Sequence, residues 1–250
     1  MTALHVSRFT LHVSHVCGRV QHNQGDLLNF LRTVWAVVAK DITAELRTRE
    51  MISAMLVFSV LVLLVFSFAL DLQGTVARAA APGVLWATVA FAGTLGLGRS
   101  LAREHQTGCI DGLLLAPVDR SAIFLGKALG NLAFIVVVEG VLLPLFSALF
   151  DVPLLRPAVL LVAALGTVGY AVVGTLLAAI AINTRAREVM LPVLLIPLAI
   201  PALIAAVRAT GVLVDGGVLA EVGGWIRLLV VYDLVMVAVS MLTFDFVVEE

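Results

Sequence analysis

The sequence predicts an all-α, polytopic membrane protein with six transmembrane helices behind an amphipathic interfacial helix. Of its 250 residues, 61% are hydrophobic and 13% charged, against about 25% charged in ordinary soluble domains. Charge-free apolar runs such as Met51 to Leu70 are too long for a soluble core and match the roughly 20 residues that cross a bilayer. The third observation is how Lys and Arg are distributed between the two faces that such runs define, because these residues are held preferentially on the cytoplasmic side.

Residues 1–29 read as a disordered N-terminal extension. Polar His, Ser and Arg interrupt each short apolar cluster there, so no cleavable signal is expected. His5, His12, His15, Cys17 and His22 match no tight zinc spacing, and no metal is expected. Residues 30–50 form the amphipathic helix. Phe30, Val34, Val38, Ile42 and Leu46 recur every fourth residue with Leu31 and Trp35 alongside, and Arg32, Lys40, Asp41, Glu45 and Arg47 take the other side. Such a stripe suits the membrane interface, with Trp35 at headgroup level.

The permease-like body, residues 51–250, then runs through six spans: Met51 to Leu70, Pro82 to Gly98, Ala128 to Phe150, Pro157 to Ile182, Val189 to Val207 and Leu228 to Val248. Pro82 and Pro157 suit first-turn positions, where a missing N–H costs nothing. Twelve of the sixteen Lys and Arg fall before the first span or in the second-to-third and fourth-to-fifth loops. Both termini are therefore expected in the cytoplasm, where Cys17 and Cys109 stay reduced. The net charge of −1 gives no ground for a nucleic-acid partner.

The most polar part of the middle is the loop 99–127. Thr107 suits the cap of a short helix whose apolar edge is Ile110, Leu113 and Leu114, ended by Pro117. A second helix is expected from Asp119 or Ser121 into the third span. Glu104, Gly108, Leu113, Leu114, Pro117, Gly126 and Lys127 match the E, G, LL, P and GK pattern that follows the second span in ABC-2-type permeases. With "AKDITAELRTRE", "LPVLLIPLAIP" and "YDLVMVAVSMLTFDFVVEE", the chain from about Phe30 to Glu250 resembles the haem exporter protein B family of cytochrome c maturation permeases.

That resemblance implies a subunit of an ABC transporter complex in a bacterial inner membrane. Its loop would be an ATPase-coupling element docked in a separate cytoplasmic ATPase subunit. ATP would be bound by that partner. Further partners implied are a haem-handling membrane protein, a periplasmic haem chaperone acting indirectly, and a second permease copy. Haem is then the exported or handled species, or ATP hydrolysis drives release of haem-loaded chaperone, and no cofactor is bound directly. The chain has no GxxxxGK[ST] phosphate loop, because Ser121 stands where its first Gly is needed. It reads as a transporter subunit and not an enzyme. The alternatives are an ABC-2 exporter of a lipid, polysaccharide or drug, and an intramembrane enzyme pairing Glu139 with Asp233.

Glu139, Asp233 and Asp245 are the acidic residues of the spans, where an ionised carboxylate costs about 2.5–3.5 kcal/mol on insertion scales. They read either as a polar path or as carboxyls joining helices, with Tyr170, Asn131 or a backbone group freed near Pro144 as partners. Pro192, Pro197 and Pro201 each remove a donor from the fifth span, so it is expected to be kinked or partly unwound, a candidate hinge. Gly126 and Gly130 fit a close helix contact. In the fourth span Tyr170 interrupts the spacing of Gly166 and Gly174.

Overall fold

A computed structural model describes residues 26–69, 75–107, 119–181 and 187–247. The histidine-rich segment and Gly108, Leu113, Leu114 and Pro117 lie outside these residues, as do the side chains of Glu104, His105 and Asp245. Seven α-helices run through the described residues: α1 Asp26–Thr48, α2 Glu50–Ala69, α3 Thr75–Thr107, α4 Arg120–Phe150, α5 Pro157–Ala181, α6 Arg187–Val214 and α7 Gly223–Val247. Six of them, α2 to α7, are long and apolar enough to cross a membrane. The fold is that of a polytopic all-α permease.

Helices α3 and α5 form the centre. α5 packs on α3, α4, α6 and α7, and α3 on α2, α4, α5 and α6. In each of these two spans 72% of the apolar window is buried, against 22% in α7 and 28% in α2. The peripheral helices keep large apolar side chains open, including Phe68, Ile204 and Leu242, as expected where lipid is the solvent.

The centre is held by large side chains seated on glycines. Tyr170 of α5 lies on Gly93 of α3, whose missing Cβ would stand 2.7 Å from the ring. In return Trp86 and Leu97 of α3 lie on Gly166 and Gly174 of α5. The tyrosine that interrupts the glycine spacing is thus part of one interlocked seam, in which a socket on each helix receives a knob from the other. The buried Tyr170 hydroxyl donates to Ala90 O at 2.5 Å and lies 2.5 Å from Thr94 Oγ1. Trp86 Nε1 donates to Thr210 Oγ1 of α6 at 3.1 Å.

The expected helix starts are half right. Pro157 is the first residue of α5, but Pro82 is interior to α3, which begins at Thr75. The helix extends past the apolar run into the end of the bundle, where Arg78 donates to Asp151 O at 2.9 Å. Nor is the proline-rich span unwound. α6 is helical from Arg187 to Val214 through Pro192, Pro197 and Pro201. Its inner face is a row of buried alanines, Ala199, Ala202, Ala205, Ala206 and Ala209, that holds the helix to its neighbours. Tyr232 Oη of α7 donates to Leu198 O at 2.9 Å, beside the gap that Pro201 leaves in the backbone ladder.

Candidate functional site

The loop that the sequence singles out is bracketed by the two longest helices, α3 with 33 residues and α4 with 31. At 1.5 Å per residue they are about 50 and 46 Å long, well beyond a hydrocarbon core of about 30 Å. The apolar part of α3 ends at Ser100, and the helix continues to Thr107. Thr107 is therefore the last helical residue of α3, and the short helix it is expected to cap lies outside the described residues. The second expected start is found: Asp119, with extended backbone, caps α4 by accepting from Ser121 N at 2.9 Å.

About two turns into α4, Gly126 and Lys127 are occupied by α1. Val37 Cβ would lie 2.7 Å from a Cβ on Gly126, so glycine lets the two backbones approach. Lys127 Nζ lies 2.8 Å from Asp41 Oδ2, and Lys40 Nζ lies 3.1 Å from Asp41 Oδ1. The ammonium of Lys127 is almost buried, and burial pulls against its charge while Asp41 supports it. Gly130 also faces Asp41. The close contact expected at Gly126 and Gly130 is thus made, and its partner is α1.

This packing revises the reading of the amphipathic helix. Val34, Val37 and Val38 are buried, while Leu28, Leu31, Trp35 and Leu46 stay exposed. Only the second group is free to meet lipid; the valines of the expected stripe pack within the protein. Asp41 and Glu45, assigned by sequence to the polar side, also turn inward. Asp41 pairs with Lys127, and Glu45 Oε1 accepts from Met51 N at 2.8 Å and Ile52 N at 2.9 Å. Glu45 thereby satisfies two orphan donors at the start of α2. Arg49, with φ 55°, makes the tight corner between α1 and α2. An element that moved α4 would carry α1 and the start of α2 with it.

Two carboxylates lie deeper. Thr167 Oγ1 of α5 donates to Glu139 Oε1 of α4 at 2.5 Å, and Asn131 Nδ2 donates to Thr175 Oγ1 at 3.0 Å. Glu139 and Asn131 stand eight residues apart on α4, as do Thr167 and Thr175 on the antiparallel α5, so the two bonds are rungs of one ladder. Thr167, and none of the candidates named from sequence, is the partner of Glu139. Asp233 of α7 is buried against Gly169 of α5. Among the described residues, neither of its carboxyl oxygens has a hydrogen-bond partner.

Thr167 and Gly169 are two residues apart, about 200° around the helix. Glu139 and Asp233 therefore approach α5 from opposite sides and do not form an acid and base pair.

The sequence model of the CcmB protein family matches residues 32–249. The chain belongs to the CcmB family. The match starts within α1 and runs through the end of α7. Among its relatives is the heme exporter protein B of Rhodobacter capsulatus, 30% identical over 172 residues that make up 68% of this chain and 78% of that protein. The heme exporter protein B of Paracoccus denitrificans is 28% identical over 172 residues, with the same coverage of both chains. That of Pseudomonas aeruginosa is 27% identical over 150 residues, 60% of this chain and 67% of the relative. With six candidate spans, this CcmB chain is a multi-pass bacterial membrane protein.

Proposed function

We propose that this protein is the permease subunit of a haem-exporting ABC transporter that serves cytochrome c maturation. The observation that carries the reading lies on either side of the loop: α3 runs past its apolar part to Thr107, and α4, capped by Asp119, is latched to α1 through Lys127 and Asp41. A separate ATPase subunit binds and hydrolyses ATP and closes on the loop 99–127. Gly108 and Pro117 shape that element, Leu113 and Leu114 supply the apolar surface that docks, and Glu104 lies where α3 enters it. The push enters α4 at Asp119 and passes through Gly126, Lys127 and Asp41 to α1, so that bundle and interfacial helix move as one body.

The Lys and Arg distribution supports an orientation with the loop and both termini in the cytoplasm. Six spans return the chain to the side on which it started, and Phe124 near the start of α4 lies 5.2 Å from Phe244 near the end of α7. The partners are the ATPase, a haem-handling membrane protein, a second permease copy and, indirectly, a periplasmic haem chaperone. Movement of the bundle exports haem or releases haem-loaded chaperone.

The test is to tag the full chain in its own host, extract it in mild detergent and identify the proteins that co-purify. A small ATPase together with a haem-handling membrane protein is the expected result. An ATPase without the second protein would reassign the chain to export of another substrate, and no ATPase would remove the coupling role.

A further inference from the structure

At the end of the bundle away from α1, a cleft of about 480 Å³ opens between α3 and α6. Its walls are Gly83, Trp86 and Ala87 from α3 and Leu203 and Ile204 from α6, with Arg208 at one end. The floor is rigid. Trp86 is 2% exposed, bonded to Thr210 and seated on Gly166. Gly83 leaves the upper part open, because a Cβ there would meet nothing within 4 Å. Toward the end of the bundle the cleft is closed where the Pro82 ring comes within 3.8 Å of a Cβ on Gly211.

Arg208 is exposed and makes no ion pair or hydrogen bond with the described residues. It stands six residues before the end of α6 at Val214, about 9 Å along the axis. An arginine at that depth turns its guanidinium toward the headgroup layer and lays its stem along apolar surface. From Arg208 the apolar walls lead inward, past Gly83 to Ala87 and Ile204. A cation at the polar edge with an apolar trough running from it toward the bilayer centre has the two-part chemistry of a phospholipid.

We propose that this cleft binds an anionic glycerophospholipid from the leaflet opposite α1, with its phosphate on Arg208 and one acyl chain over Gly83 and Ala87. Charge complementarity selects the occupant: a bare apolar groove takes any acyl chain, whereas an unpaired guanidinium at its mouth favours a net-negative headgroup. The lipid fills the cleft between the central helix α3 and the proline-bearing α6, where it supports their packing.

The full chain is reconstituted in nanodiscs of phosphatidylcholine with a minor share of phosphatidylglycerol, and the lipids it retains are read by native mass spectrometry. Phosphatidylglycerol is expected to be enriched about fivefold over its bulk share. Arg208→Gln removes the enrichment while some lipid is still retained, and Gly83→Phe, which fills the trough, removes the retained lipid. Arg227→Gln, on α7 outside the cleft, changes neither. Thermal unfolding in the same discs confirms that each variant is folded. Retention of both lipids in proportion to their bulk shares by the unaltered protein, enrichment that survives Arg208→Gln, or lipid that survives Gly83→Phe would each overturn the assignment.

Discussion

Glu139 and Asp233 press on the same central helix two residues apart, yet one is bonded and the other is not. Glu139 sits in a ladder between α4 and α5, where Thr167 donates to it and Asn131 with Thr175 forms the second rung. Asp233 sits between α5 and α7 against the bare backbone of Gly169, and both oxygens lack a hydrogen-bond partner among the described residues. One residue joins helices. The other burdens the interface it occupies, since a buried polar group without a partner costs about 1–3 kcal/mol. An acid in an apolar run is thus two different things, and only the neighbouring helix decides which.

The α1–α4 latch is the extreme of the bonded kind. Asp41→Ala would take from the Lys127 ammonium the carboxylate that lies 2.8 Å from it and is expected to destabilise the protein by about 3 kcal/mol. Added Lys127→Ala should restore part of that loss, a non-additivity that thermal unfolding in detergent measures. If the double variant is no better than Asp41→Ala alone, the pair does not couple the helices.

A smaller effect is expected at the ladder. Thr167→Val removes the donor to Glu139 while keeping the shape of the side chain, and should cost about 1–2 kcal/mol. Glu139→Gln keeps an acceptor for Thr167 and should cost less. Equal losses in these two variants would show that the carboxylate itself, and not the bond, is what α5 requires.

Asp233→Asn should change stability least, by about 0.5 kcal/mol or less in either direction, because no bond is lost. Its effect is expected in function instead, as reduced cytochrome c assembly in the native host at unchanged thermal stability. That expectation rests on the folding cost of an unpaired carboxyl in the spans, which no packing bond among the described residues offsets. Normal assembly in the Asp233→Asn protein would make it a structural irregularity.

The spans were legible because each is a local signal. Apolar runs of about twenty residues mark α2 through α7, although the helices run past them, as α3 does from Gly98 to Thr107, and Asp119 and Pro157 announce the starts of α4 and α5 by their own side-chain chemistry. Pairings between helices were not legible. Asp41 and Lys127 are 86 residues apart in sequence, and nothing in either neighbourhood names the other. Tyr170 looked like an interruption between two glycines until its socket, Gly93 on α3, came into view. Thr167 was unremarkable as one threonine in an apolar helix. Register between helices is fixed by which knob enters which socket, and that information is shared between segments and absent from each alone. The prolines of α6 show the same limit for unwinding: a missing donor is local, but the alanine face that packs the helix onto its neighbours is shared between segments.

The central claim is that the loop between α3 and α4 is where an ATPase drives the bundle. Leu113→Asp puts a charge on the proposed docking edge and touches none of the pairings described above. The account predicts that the tagged Leu113→Asp protein, purified from its own host, loses the ATPase and fails to support cytochrome c assembly at the thermal stability of the unaltered chain. An ATPase that still co-purifies, with normal cytochrome c assembly, would contradict it.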